Sequence, residues 1–172
     1  AMDVVYRKFG NKWINYLIKT DMNEIEKALD NKVMKATIAS LNNGKPTILE
    51  PGLEELVKAG LNSGKLKFYS DVNDIDFLWV AYDTPVNDND EVDIGFIISE
   101  IKRILPALSN NSTVLISSQM PIGSISFLEK ICKDLYPEKN IHFACSPENL
   151  RLGNALNVFL NPDRIVVGTR TE

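Results

Sequence analysis

Histidine is nearly missing from this sequence: 172 residues contain only one, His142. A metal centre built on imidazoles or a Ser-His-Asp triad therefore lacks its usual parts, and no metal site is expected. Cysteine is almost as scarce. Cys132 and Cys145 are the only two, too few for a disulfide framework and in keeping with free thiols packed in a protein of the reducing cytoplasm. No apolar run approaches the roughly 20 residues that a membrane helix needs, and no signal-peptide pattern opens the chain. Positive charge is in deficit, with 19 Lys and Arg against 23 Asp and Glu and a net charge of -4. That is the wrong sign of field for gathering nucleic acid or an anionic bilayer. What remains, 44% hydrophobic and 24% charged, is the composition of a globular protein. The length suits a single domain over 1–172, with one ordinary core.

Short β-like runs alternate with longer helical ones. Asp74 to Tyr82 is a continuous apolar stretch suited to a strand covered on both faces. Thr113 to Ser117, Ile141 to Cys145 and Arg164 to Gly168 read as three more strands. Ile94, Ile97, Ile98, Ile101 and Leu105 fall on one helical stripe that Pro106 ends, and Ile125, Leu128, Ile131, Cys132 and Leu135 form another that Pro137 closes. This alternation predicts an α/β fold: a Rossmann-like, doubly wound, mainly parallel sheet with helices on both faces. Toward the start, Val4 to Tyr6 reads as a first strand and Trp13 to Leu17 as the opening of a helix after a turn at Gly10. Asp21 to Leu29 is helical by pattern. Pro51 opens a short helix with Leu53, Leu56 and Val57 facing inward.

In such a sheet ligands bind beyond the carboxyl ends of the strands, near the point where strand order reverses. The segments expected there are the turn at Gly10, Asp83-Thr84-Pro85, Ser118 to Ser124, and Ser146-Pro147-Glu148-Asn149-Leu150-Arg151. Several of them, together with Leu41-Asn42-Asn43-Gly44-Lys45-Pro46, Leu49-Glu50-Pro51-Gly52-Leu53-Glu54-Glu55-Leu56 and Asn161-Pro162-Asp163-Arg164-Ile165-Val166-Val167-Gly168, make the sequence recognisable. Across roughly residues 41 to 168 it resembles the N-terminal, NAD-binding domain of the UDP-glucose/GDP-mannose dehydrogenase family. The resemblance implies NAD as cofactor, a nucleotide sugar as substrate, and oxidation of the sugar C6 alcohol to a carboxylate. It also implies central helical and C-terminal sugar-nucleotide domains, with the nucleophilic cysteine, lying outside this chain.

The same resemblance nominates site residues, and here the chain departs from the family pattern. The Gly-x-Gly-x-x-Gly turn that lets backbone approach the pyrophosphate aligns with Gly10, Lys12 and Asn15, so only the first glycine is kept. Lys12 either fills the pyrophosphate space or pairs with a phosphate. The ribose-binding acid, about 20 residues on, aligns near Lys32, with Asp30 close by. Thr84 and Pro85 keep the second cofactor loop behind Asp83, and Ser118 keeps the third. Gln119 stands where the family has a catalytic-site threonine. Glu148 persists as the candidate acid, whereas Leu152 replaces a second glutamate and can move no proton. Glu148, Asn149, Leu150 and Arg151 are the expected substrate loop. Cys132 and Cys145 read as core, His142 as a strand residue with a local hydrogen bond, Trp13 and Trp79 as core, and Arg164 as a tie to the last strand. Three readings stay open: a dehydrogenase domain inactive as this isolated chain, a pseudoenzyme serving as a binding or scaffolding module, or a domain for another nucleotide or sugar phosphate. Either of the first two leaves room for a protein partner or a C-terminal half.

Overall fold

The computed structural model describes residues 3–9, 12–18, 35–69, 71–82, 94–147, 150 and 153–170. In chain order the strands are β1 (Asp3–Phe9), β2 (Lys12–Ile18), β3 (Leu66–Tyr69), β4 (Ile75–Val80), β5 (Leu108–Ile116), β6 (His142–Cys145) and β7 (Gly168–Thr169). The helices are α1, described over 35–42, α2 (Leu53–Asn62), α3 (Ile94–Ile104), α4 (Ser124–Leu135) and α5 (Ala155–Leu160), with a 3-10 turn at Leu105–Ala107. All of these strands join one sheet in the order β3-β1-β2-β4-β5-β6-β7. β2, β4, β5 and β6 run parallel, while β1 lies antiparallel between β2 and β3, and β7 closes the far edge antiparallel to β6. The sheet is thus mixed but mainly parallel, and Rossmann-like as expected.

The centre of the fold follows directly from side-chain alternation. Leu78 and Val80 of β4, Val114 and Ile116 of β5 and Phe143 of β6 belong to one cluster, with Ile97, Ile101 and Ile104 of α3 and Leu128 and Cys132 of α4 packed into it. Each aliphatic side chain buried there contributes roughly 1.5–3 kcal/mol. Between those positions Phe77, Trp79, Thr113 and Leu115 are only half-buried. Behind this core the end of α3 is tied down by a single cation. Lys139 Nζ donates to the carbonyls of Leu105 (3.3 Å), Pro106 (2.8 Å) and Leu108 (2.8 Å), the region where orphan helix carbonyls concentrate negative charge.

A second, smaller core joins Leu41 of α1, Val57 of α2 and Phe68 of β3. Polar contacts supply much of its definition. Asn42 Nδ2 donates to the Phe68 carbonyl (2.9 Å) while the Phe68 amide donates to Asn42 Oδ1 (3.2 Å), so one side-chain amide meets β3 as a neighbouring strand would. Gly44 follows at φ +76°, a backbone conformation that favours glycine, and a Cβ there would also push aside the Lys58 side chain, whose Cγ it would meet at 2.6 Å.

Three local expectations need correction, and one strand was not expected. Trp13 to Leu17 lies in β2, not in a helix, because β2 pairs with β1 from Phe9↔Lys12 to Asp3↔Ile18. The strand expected over Arg164 to Gly168 shrinks to Gly168–Thr169, leaving Ile165, Val166 and Val167 at 73%, 61% and 52% exposure and Arg164 exposed outside any strand. Leu56 points outward, whereas Val57 is buried. β3 had no expected strand at all. The helix expected over Asp21 to Leu29 falls outside the described residues.

Candidate functional site

Because β2, β4, β5 and β6 are parallel, their carboxyl ends share one edge of the sheet, where an open α/β fold binds ligands. On the β4–β6 side this edge is built and buried. The ladder continues past the strands through Ser117 N–H to the Val80 carbonyl (2.8 Å) and Ser146 N–H to the Ile116 carbonyl (2.9 Å). Ser118 is 5% exposed, and its Oγ accepts the Tyr82 amide (2.8 Å). Ser117 Oγ accepts Trp79 Nε1–H (2.7 Å). Each hydroxyl keeps its own proton to donate. Gln119 beside them is exposed. Tyr82 is no proton-transfer candidate: burial pushes its hydroxyl far above the ordinary phenol range, the Glu100 carboxylate adds to the shift, and Arg103 opposes it.

The β2 side differs. The antiparallel register places Lys12, where β2 begins, at the opposite edge of the sheet from the ends of β4 and β5. Seven residues of strand, roughly 20 Å, separate Lys12 from the ligand edge. Lys12 to Asn15, aligned with the rest of the glycine turn, therefore lie inside a strand paired with β1 and form no helix N-terminus. Trp13 accompanies it to the far edge, opposite Lys8. The strand beside β4 is β2, and after Ile18 the sequence has no glycine until Gly44. A glycine-rich cradle for a dinucleotide pyrophosphate does not fit this arrangement. The hairpin instead brings Asp3 to the ligand edge, paired with Ile18, a residue that sequence reasoning passed over.

On the β6 side, the segment leading to α5 is anchored from a distance. Glu50, which precedes the turn into α2, accepts Gly153 N–H at Oε2 (2.6 Å) and Leu156 N–H at Oε1 (3.4 Å). The Phe159 ring of α5 rests 5.8 Å from Trp79, centroid to centroid. Leu150 of the expected substrate loop is exposed. Gly10, Asp30, Lys32, Asp83, Thr84, Pro85, Glu148, Asn149, Arg151 and Leu152 lie outside the described residues.

Both cysteines are free thiols. Cys132 is buried in α4, and that burial raises its pKa, which suits packing and not nucleophilic attack. Cys145 is half-buried at the end of β6. His142 is exposed, with Nε2 3.2 Å from Asn140 Nδ2, the local bond expected of it. Among the described residues no group of three or more His, Cys, Asp or Glu could hold a metal ion, and no helix is long and apolar enough to cross a membrane.

Residues 20–172 match the UDP-glucose/GDP-mannose dehydrogenase family, NAD binding domain. The chain belongs to this family. The match starts after the Gly10–Asn15 stretch and takes in the segments that form the β4–β6 edge. Among its relatives in the dehydrogenase family, a UDP-glucose 6-dehydrogenase of Rhizobium meliloti is 32% identical over 136 residues, covering 76% of this chain and 31% of the relative. A UDP-N-acetyl-mannosamine dehydrogenase from Staphylococcus aureus superposes with TM-score 0.71 at 30% identity, over 80% of this chain and 34% of that one. A GDP-mannose dehydrogenase of Pseudomonas aeruginosa gives TM-score 0.70 at 27% identity, over 78% and 33%. The chain thus spans about a third of the relatives it matches, and the part it spans is the family's NAD-binding domain.

Proposed function

We propose that this chain is the NAD-binding-type domain of a nucleotide-sugar 6-dehydrogenase, and that alone it holds NAD weakly and does not turn over. The observation that carries the second half is the topology beside β4, where a hairpin arm stands and no glycine follows until Gly44. Each backbone-to-phosphate bond lost costs about 1–3 kcal/mol. Two or three such losses take a micromolar site toward millimolar, since roughly 1.4 kcal/mol is tenfold in affinity. The buried, hydrogen-bonded hydroxyls of Ser117 and Ser118 support the first half: they keep the β4–β5 edge of the family site ordered. In this reading the segment from Ser146 through Glu148, Asn149, Leu150 and Arg151 faces the nucleotide sugar. Glu148 is its acid and Arg151 its phosphate-pairing cation. The nucleophile comes from polypeptide beyond these residues, because neither cysteine has the setting for it.

A binding module that has given up the cofactor is the second reading. It is favoured by the exposed run Ile165-Val166-Val167, an apolar surface suited to a protein partner. The deciding experiment titrates the purified chain with NADH and with NAD, following the fluorescence of Trp79 at the ligand edge and checking by calorimetry. No saturable response below about millimolar is expected. Saturable micromolar binding, or nucleotide-sugar-dependent NADH formation by the isolated chain, overturns the reading.

A further inference from the structure

We propose that Glu50 is the positioning residue for the end of the segment that leads from β6 into α5, at Gly153 and Leu156. The inference rests on the reading that turns this segment toward a nucleotide sugar. The segment starts where Ser146 N–H closes the ladder on the Ile116 carbonyl (2.9 Å) and ends at Gly153, whose amide is held by Glu50 Oε2 at 2.6 Å. Burial cannot place its far end, because α5 has no buried residue. The described contacts that do so are the two amide bonds to Glu50, the Leu156 side chain beside Gly52 and the ring of Phe159 against Trp79. Trp79 is itself fixed through Nε1–H to Ser117 Oγ.

Glu50 is well made for the task. Its carboxylate is half-buried and accepts two main-chain amides, 103 and 106 residues away in sequence, and bonds from amide to carboxylate are the strong, charge-assisted kind. Pro51 after it restricts its backbone to extended conformations. Its own carbonyl takes the Leu53 amide (3.1 Å) at the start of α2. The reach of one carboxylate, fixed to α2, thereby sets where the substrate segment ends.

The test is amide exchange by mass spectrometry on the whole chain, with and without millimolar UDP-glucose, for wild type, Glu50→Gln and Glu50→Asp. Gln keeps the length but offers one acceptor oxygen; Asp keeps the charge but falls short. Both variants are expected to speed exchange at least about tenfold across 147–156 while leaving the α4 peptides unchanged. UDP-glucose is expected to slow exchange of that segment in wild type and not in the variants. Unaltered exchange in both variants overturns the proposal. Protection by UDP-glucose that is equal in wild type and variants also overturns it, while the proposed function stands. Faster exchange in the variants without any protection of wild type by UDP-glucose supports the positioning role and overturns the assignment of this segment to a nucleotide sugar.

Discussion

The half of the sheet formed by β4, β5 and β6 and the half formed by β3 with α1 and α2 both carry recognisable family sequence, yet they are held differently. The first rests on a large cluster of buried, mostly aliphatic side chains running from Ile75 to Phe143. The second buries Leu41, Val57 and Phe68 and leans on the Asn42 amide and the special backbone of Gly44. Where the chain has apolar side chains to bury, packing fixes the architecture. Where it has few, hydrogen bonds and turn geometry must do so, and small polar substitutions become expensive.

The sharpest way to break this contrast is at the centre. Leu78 is 0% exposed, and Leu78→Ala should cost about 3–5 kcal/mol in urea unfolding, because a cavity adds to the lost transfer energy. A loss under about 1 kcal/mol would mean that this core carries far less than its burial indicates. Next in size is Asn42→Ala, which removes both bonds to the Phe68 backbone. About 1–2 kcal/mol is expected, with faster amide exchange in β3 and none of the change in β5; equal effects in both strands would erase the distinction between the halves. Smallest is Ser112→Ala. Ser112 is 1% exposed, and its Oγ has no hydrogen-bond partner among the described residues, so the substitution should raise stability by up to about 1 kcal/mol. A loss of stability on Ser112→Ala would show that the hydroxyl is satisfied in solution.

What sequence reasoning reached follows the same division. β4, β5, β6, α3 and α4 were legible because continuous apolar runs and 3.6-residue stripes report burial directly. β3 escaped notice because Leu-Lys-Phe-Tyr is short and buries only Phe68. The error at the start had a visible antidote. Gly10-Asn11 between Asp-Val-Val-Tyr-Arg-Lys-Phe and Lys-Trp-Ile-Asn-Tyr-Leu-Ile is a hairpin signal, but the alignment of Gly10, Lys12 and Asn15 with the family's glycine turn reads the same stretch as a cofactor fingerprint. At the far end, Ile165-Val166-Val167 has strand propensity but pairs with no strand among the described residues, and propensity without a partner makes no strand. Ser118 is nominated by its motif alone. The bonds from Glu50 to Gly153 and Leu156 are not, since no local pattern announces a contact across more than a hundred residues.

The Asn42 amide has a consequence for the company the molecule keeps. β3 is the outermost strand on its side of the sheet, and outer strands invite another chain to zip on and begin a polymer. At Phe68 both main-chain groups are already bonded to Asn42. An arriving strand would have to displace that side chain before it gained its first rung, so the same residue that completes a fold also discourages the sheet from growing beyond one molecule.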